Sequence, residues 1–233
     1  MKLHYYQGNH GNFGDDLNPG LWDRLLLGFF DDDGDEVFVG IGTLLRNRSP
    51  AARRTIVFGS GAGYGTPPQT DDSWDIVCVR GPESAKLMGL PSSSAVVDPA
   101  ILVRLFEEHT SMEGQQISYM PHHLSSTLGD WEEVCKIAGY QYIDARDNVA
   151  EVLQRLKNTR LLITEAMHGA IVADALRIPW IAVHSPEHIL QLKCIDLMGS
   201  LQLEEFFQTL STVWFGAQNK VLSQRIKIKT KRN

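Results

Sequence analysis

Short apolar runs rich in β-branched and aromatic residues recur along the chain, each followed by a glycine-containing turn and a stretch of helical spacing. That alternation is the pattern of βα units and predicts an α/β fold with parallel sheets covered on both faces. In the first half it predicts a strand over Lys2–Tyr6, a glycine loop, and a helix over Asn18–Phe29. Strands over Glu36–Ile41, Thr55–Phe58 and Asp75–Val79 follow, then a helix over Pro82–Met88. Between Leu105 and Gln116 the run FEEHTSMEGQ is polar and supplies no core, so a domain boundary is expected there. The alternation then restarts. Strands are predicted over Gln116–Met120, Gln141–Ile143, Arg160–Thr164 and Trp180–Val183, with helices over Trp131–Ala138, Val149–Asn158 and Ala166–Leu176. The chain therefore reads as a Rossmann-like domain over 1–105, a second over 116–215, and a tail over 216–233. Two such halves face a cleft, and in open α/β sheets ligands sit beyond the carboxyl ends of the strands. The informative residues are those just after strands.

Composition narrows the class. The 233 residues are 43% hydrophobic and 21% charged, an ordinary globular balance that excludes disorder. The net charge of -6 excludes nucleic acid as the main partner, because phosphate-backbone binding needs a basic face. Charge is unevenly placed: Lys220, Arg225, Lys227, Lys229, Lys231 and Arg232 stand in a tail without acids. This tail reads as a frayed terminus or as a patch for peripheral contact with an anionic membrane face. Cys78, Cys135 and Cys194 have no metal-like spacing and no CxxC, so a reducing compartment and no metal are expected. The opening MKLHYYQGNHG has no apolar signal segment, and a cytoplasmic location is expected.

Six constellations carry candidate chemistry. The loop Gly8, Asn9, His10, Gly11, Asn12, Phe13, Gly14, Asp15, Asp16 joins a strand to a helix. Its glycines allow backbone N–H groups to approach an anion or a sugar, although it is neither GxGxxG nor a P-loop. Gly59, Ser60 and Gly61 follow another strand, as Gly40 and Gly42 follow the one before, and suggest a floor on which a ligand lies. In Arg80-Gly81-Pro82-Glu83-Ser84 a strand ends in an arginine expected to point into the cleft mouth and grip phosphate or carboxylate. Asp98 is held extended by Pro99 and reads as acid, base or turn former. His122 and His123 follow a strand; on extended backbone they point apart, so one anion-binding imidazole is expected and a shared metal is not. Glu165, His168 and Gly169 open a helix whose small residues Gly169, Ala170 and Ala173 allow tight packing on the sheet. Lys193 and Asp196 add a cation and a carboxylate on a later helix.

Taken in order, GNHGNFGDDLNP at 8–19, RGPES at 80–84, DPA at 98–100, His168 with Gly169, and Lys193 before Asp196 resemble the polysaccharide pyruvyltransferase family. The resemblance implies a GT-B-like pair of halves, the first on the acceptor side and the second on the donor side. It implies phosphoenolpyruvate as donor, no cofactor, and a cyclic pyruvate ketal formed on two hydroxyls of a saccharide acceptor, a lipid-linked one included. Carried over residue by residue, it makes His168 the general acid or phosphate partner and Glu165 its orienting neighbour. Arg80 and Lys193 become the anion clamp, with Ser84, His122 and Gly169 beside the donor. Asp15 and Asp98 then stand near the sugar hydroxyls, on a floor made by Gly8, Asn9, Gly11, Asn12, Gly14, Asp16, Gly59, Ser60 and Gly61. The chain departs from the family in length and in carrying Ala166 where many members have an arginine two positions before the histidine. Glu165 is similar to a succinoglycan-type subgroup. The same architecture would also serve a nucleotide-sugar glycosyltransferase, and Ala166 with the short chain leaves a non-catalytic sugar-phosphate binding module as a further alternative.

Overall fold

The computed structural model describes residues 1–46, 52–107, 116–184, 191–203 and 208–209. The basic tail, most of the expected boundary segment and the stretch leading into the Lys193 helix lie outside the described residues. The first half holds β1 (Lys2–His4), α1 (Phe13–Leu25), β2 (Glu36–Val39), β3 (Arg54–Phe58), β4 (Trp74–Cys78) and α2 (Pro82–Leu87). Its four strands are parallel and lie in sequence order. The second half holds β5 (Gln116–Met120), α3 (Trp131–Ala138), β6 (Gln141–Tyr142), α4 (Val149–Lys157) and β7 (Thr159–Thr164). It continues through α5 (Met167–Ala175), β8 (Trp180–His184), α6 (Gln191–Ser200) and β9 (Gln208–Thr209). Its sheet is parallel in the order β6-β5-β7-β8-β9, a doubly wound order whose direction reverses between β5 and β7.

The main departure from the sequence reading is α1. It begins at Phe13, five residues before the expected start, so half of the glycine loop is helix. Asn12 stands at its N-cap and is held by the first turn: Asn12 N donates to Asp16 Oδ2 at 2.8 Å, and Asn12 Nδ2 donates to Asp15 Oδ2 at 2.5 Å. Pro19 inside this helix cannot donate to the carbonyl of Asp15, the acceptor four residues back. Asn18 Nδ2 takes that place at 2.9 Å, so the orphaned carbonyl is satisfied. Asn18 also exchanges 3.0 Å bonds with both backbone groups of Ile41 and accepts from Trp22 Nε1 at 3.0 Å. One buried amide thereby pins α1 to the end of β2.

Helix α1 also joins the halves. Its Phe13, Leu17 and Leu21 sit in one apolar cluster with Ile41, Ala100 and Val103 and with Met120, Ile143, Leu162, Ile171 and Ile178 from beyond the expected boundary. A separate cluster of Val37, Val39, Val57 and Val79 serves the first sheet alone. Burying an aliphatic side chain contributes roughly 1.5 to 3 kcal/mol, so the shared cluster ties the two halves firmly. The site lies in a pocket between them.

Candidate functional site

The reversal between β5 and β7 places the residues after both strands at one crevice. Met120, His122 and His123 come from the first, Ala166, Met167 and His168 from the second. The first half closes the crevice with Tyr6, Asn12, Phe13, Gly14, Asp15, Thr43, Leu44, Arg46 and Tyr64, and α6 adds Lys193. The cavity measures about 290 Å³. A wider hollow of about 460 Å³ lies at Gln141, Gln154, Arg155, Lys157 and Asn158, beside the amino ends of β6 and β7. That is the wrong end of the sheet for a ligand, and its cations are paired, Arg155 to Asp147 at 2.9 Å and Lys157 to Glu107 at 2.5 Å.

His168 stands in the first turn of α5, between the halves. On one side it lies against the first turn of α1: a Cβ built on Gly14 would fall 1.8 Å from Nδ1, so only glycine lets the ring sit there. On the other side Nε2 is 3.5 Å from Asp98 Oδ2. Asp98 is fully buried, and its Oδ1 accepts from Ala100 N at 3.0 Å, capping the 3-10 turn Pro99–Leu105. Oδ2 of Asp98 and Nε2 of His168 have no hydrogen-bond partner among the described residues. The carboxylate is thus fixed by its own turn and aimed at an imidazole that it approaches without a hydrogen bond.

Asp15 faces the same cavity from α1. Burial pushes its carboxyl from the ordinary value up to about 6, opposed by His168 and Lys193 and reinforced by Asp16 and Asp98. A carboxyl poised there can both give and take a proton near neutral pH. Cations supply the balance of charge. Lys193, in the first turn of α6, is buried and donates to Tyr64 Oη at 2.6 Å. His122 Nδ1 accepts from Leu124 N at 3.3 Å, which leaves the proton of a neutral ring on Nε2. Burial first and Lys193 second lower the pKa of His123. The positive end of the α5 dipole adds to this field, for no side chain among the described residues caps that helix.

Several expectations need correction. His122 and His123 do not point apart: the chain turns after Pro121, and their rings lie 4.2 Å apart along the cavity. Among the described residues no third ligand type joins them into a metal site. Arg80 does not reach the cleft mouth. It is fully buried, donating from Nε to Asp196 Oδ2 at 2.9 Å and from Nη1 to Thr43 Oγ1 at 2.9 Å. Ser84 belongs to the same knot, giving Asp196 its backbone N–H at 2.9 Å and its hydroxyl at 2.5 Å. Gly61 makes room for the Arg80 guanidinium, Gly59 packs on Pro99 with a φ of +80°, and Ser60 Oγ donates to Gly42 O at 3.1 Å. That trio is packing, outside the cavity wall. Glu165 holds the backbone before the His122 ring instead, its Oε2 accepting from His122 N at 3.1 Å. Asp98 lies behind His168, where it meets the imidazole, and does not line the cavity. Gly169 lets α5 sit on Met120 and Thr164.

The glycine loop divides. Asn12, Gly14 and Asp15 line the cavity, whereas Gly8, Asn9, Gly11 and Asp16 do not. Gly11 has a φ of +72° and approaches the carbonyl of Arg146 so closely that a Cβ would sit 2.3 Å from it, and Phe13 N donates to Ala145 O at 2.8 Å. This part of the loop docks one half onto the other. Tyr6, Thr43, Arg46 and Tyr64 complete the site without having been singled out. Tyr6 follows a strand and was within reach of the strand-end rule; the others sit on irregular segments with no period to place them.

With this geometry in view, comparison with known proteins identifies the class. Residues 12–185 match the polysaccharide pyruvyl transferase family, and the chain belongs to it. It is similar to the succinoglycan biosynthesis protein ExoV of Rhizobium meliloti (strain 1021), 41% identical over 206 residues that cover 86% of this chain and 65% of the relative. The chain thus spans just under two thirds of that relative's length. No solved structure matches it. Among the described residues, no helix is long and apolar enough to cross a membrane.

Proposed function

We propose that the chain transfers the pyruvyl group of phosphoenolpyruvate to two hydroxyls of a saccharide in exopolysaccharide assembly, forming a cyclic ketal and releasing phosphate. The observation that carries this reading is the cavity at the β5/β7 reversal, where His168 backed by Asp98, Asp15 with a carboxyl near neutrality, and Lys193 converge. The reaction needs an acid to protonate the methylene carbon, a base to take the proton of the attacking hydroxyl, and cations to hold carboxylate and phosphate. His168 is the acid, with the Asp98 carboxylate behind it. Asp15 is the base for the sugar. Lys193, His122 and the amino end of α5 hold the anionic groups, with Arg46 on the cavity wall where Ala166 brings no charge. The methylene becomes the methyl group, the first hydroxyl bonds to the central carbon, the C–O bond to phosphate breaks, and the second hydroxyl closes the ring. One hydroxyl proton replaces the one given to carbon and the other leaves with phosphate.

The test is to mix the protein with phosphoenolpyruvate and an exopolysaccharide repeat-unit oligosaccharide. Phosphate release should match a gain of one pyruvyl ketal by mass spectrometry. Release of nucleotide from a nucleotide sugar, with no reaction of phosphoenolpyruvate, would overturn the reading in favour of a GT-B-type glycosyltransferase.

A further inference from the structure

Two aromatic side chains stand at the cavity without belonging to the core. Tyr6 is 47% exposed and Tyr64 is 42% exposed, yet both line the wall of the pocket that contains His168. Neither is a loose surface residue. Tyr6 lies against the backbone of Gly8, where an added Cβ would come 2.8 Å from the ring. Tyr64 stands between Gly63 at φ +151° and Gly65 at φ +77°, two conformations that side-chain-bearing residues rarely adopt, so the backbone path there is set by glycine on both sides. Its hydroxyl accepts from Lys193 Nζ at 2.6 Å, and the same ammonium lies 4.9 Å from the ring centroid. Half-exposed, positioned aromatic rings beside a polar cavity offer apolar faces to a ligand that itself has apolar faces edged by hydroxyls. A pyranose ring has that character, since its axial C–H bonds present one apolar side while its hydroxyls point outward.

We propose that Tyr6 and Tyr64 form the acceptor subsite, their rings receiving a sugar unit of the saccharide so that its hydroxyls face Asp15 and His168. The identity of the acceptor rests on the pyruvyl-transfer reading; the subsite itself rests on the placement of the rings. Tyr64 has a second role through its hydroxyl, linking the acceptor side to Lys193 on the donor side.

The experiment has two arms. Binding of short neutral gluco- and galacto-oligosaccharides is measured by saturation-transfer NMR without any donor, and steady-state kinetics are measured with phosphoenolpyruvate. Tyr6→Ala and Tyr64→Ala should each weaken saccharide binding about three- to tenfold, the range of a lost aromatic contact, and raise the acceptor KM by the same factor. Tyr6→Ala should leave the KM for phosphoenolpyruvate within twofold. Tyr64→Phe, which keeps the ring and loses the bond to Lys193, should leave saccharide binding unchanged and alter only the donor KM. Saccharide binding that is absent in the unaltered protein, or equal in all four proteins, overturns the subsite. If binding behaves as expected but phosphoenolpyruvate never reacts, the subsite stands and the pyruvyl-transfer reading falls.

Discussion

Two buried pairings of a carboxylate with a basic side chain join the halves of this protein, and they are built differently. At Arg80–Asp196 the carboxylate accepts three hydrogen bonds, from the Arg80 Nε and from both the backbone and the hydroxyl of Ser84. There Arg80 Nη2 alone lacks a hydrogen-bond partner, whereas at His168–Asp98 the two groups stand 3.5 Å apart and the facing atom of each lacks one. The first pair is sealed behind Thr43; the second opens onto a cavity. A carboxylate whose lone pairs are filled by fixed donors can only hold structure. One that leaves a lone pair aimed at a titratable ring keeps a proton position to trade. Sequence motifs of equal quality, RGPES and DPA, thus mark opposite uses of an acid and a base.

The sharpest way to break this contrast is to remove one member of each pair. His168→Ala should lower turnover by about two to four orders of magnitude, the range for a lost general acid, with a melting temperature within a few degrees of the parent. Normal turnover in that variant would leave the loose pair without chemistry. Asp196→Ala should do the reverse, costing about 3 to 5 kcal/mol of stability because it strands a buried guanidinium, as read by chemical denaturation. An Asp196→Ala protein of full stability would show that the sealed pair holds nothing.

Asp15 sharpens the comparison through pH. Its carboxyl moves from 3.8 in the unfolded chain to about 6 in the folded protein, so between those values the folded state binds a proton that the unfolded chain has released. Stability therefore falls as pH rises through that window, by about 3 kcal/mol in all. Asp15→Asn should be more stable than the parent by up to that amount at pH 8, equal to it near pH 4, and much less active. A stability gain independent of pH would remove the burial of an ionised carboxylate as its cause.

The smallest expected effect is at Gly169. Gly169→Ala would bring a Cβ 2.7 Å from the Met120 sulfur and 3.0 Å from Thr164 Oγ1, and should cost about 1 to 3 kcal/mol by overpacking. The KM for phosphoenolpyruvate should not move. A shifted KM at unchanged stability would restore Gly169 to the donor site.

The parallel strands and most helices were legible because their apolar runs are separated by glycine and their caps are local. Asp130 accepts from Glu133 N and Asn148 from Glu151 N, as the side-chain types at those positions imply. The start of α1 was not legible, since its glycines and Pro19 argue against helix and only Asn18, bonded to Ile41 across the fold, repairs the broken ladder. At the site, strand-end position was enough to gather His168, Asp15 and His122, and Lys193 was found on the helix after the last predicted strand. It could not separate Arg80 from them, because nothing local to RGPES shows that Asp196, far along the chain, arrives to cover the guanidinium. Nor could adjacency reveal that Glu165 turns to His122 while Asp98 comes from the other half to His168.

Helix α6 carries Lys193 to the cavity and, one turn later, Asp196 to the sealed knot. Gly199 on the same helix admits Pro82 of α2 so closely that a Cβ would lie 2.6 Å from the proline ring. A recombination junction anywhere between α2 and α6 would bring together an arginine and an aspartate that were never selected to meet. Chimeras made to exchange donor or acceptor specificity among relatives would therefore have to transplant RGPES and α6 as one unit, although more than a hundred residues of sequence separate them.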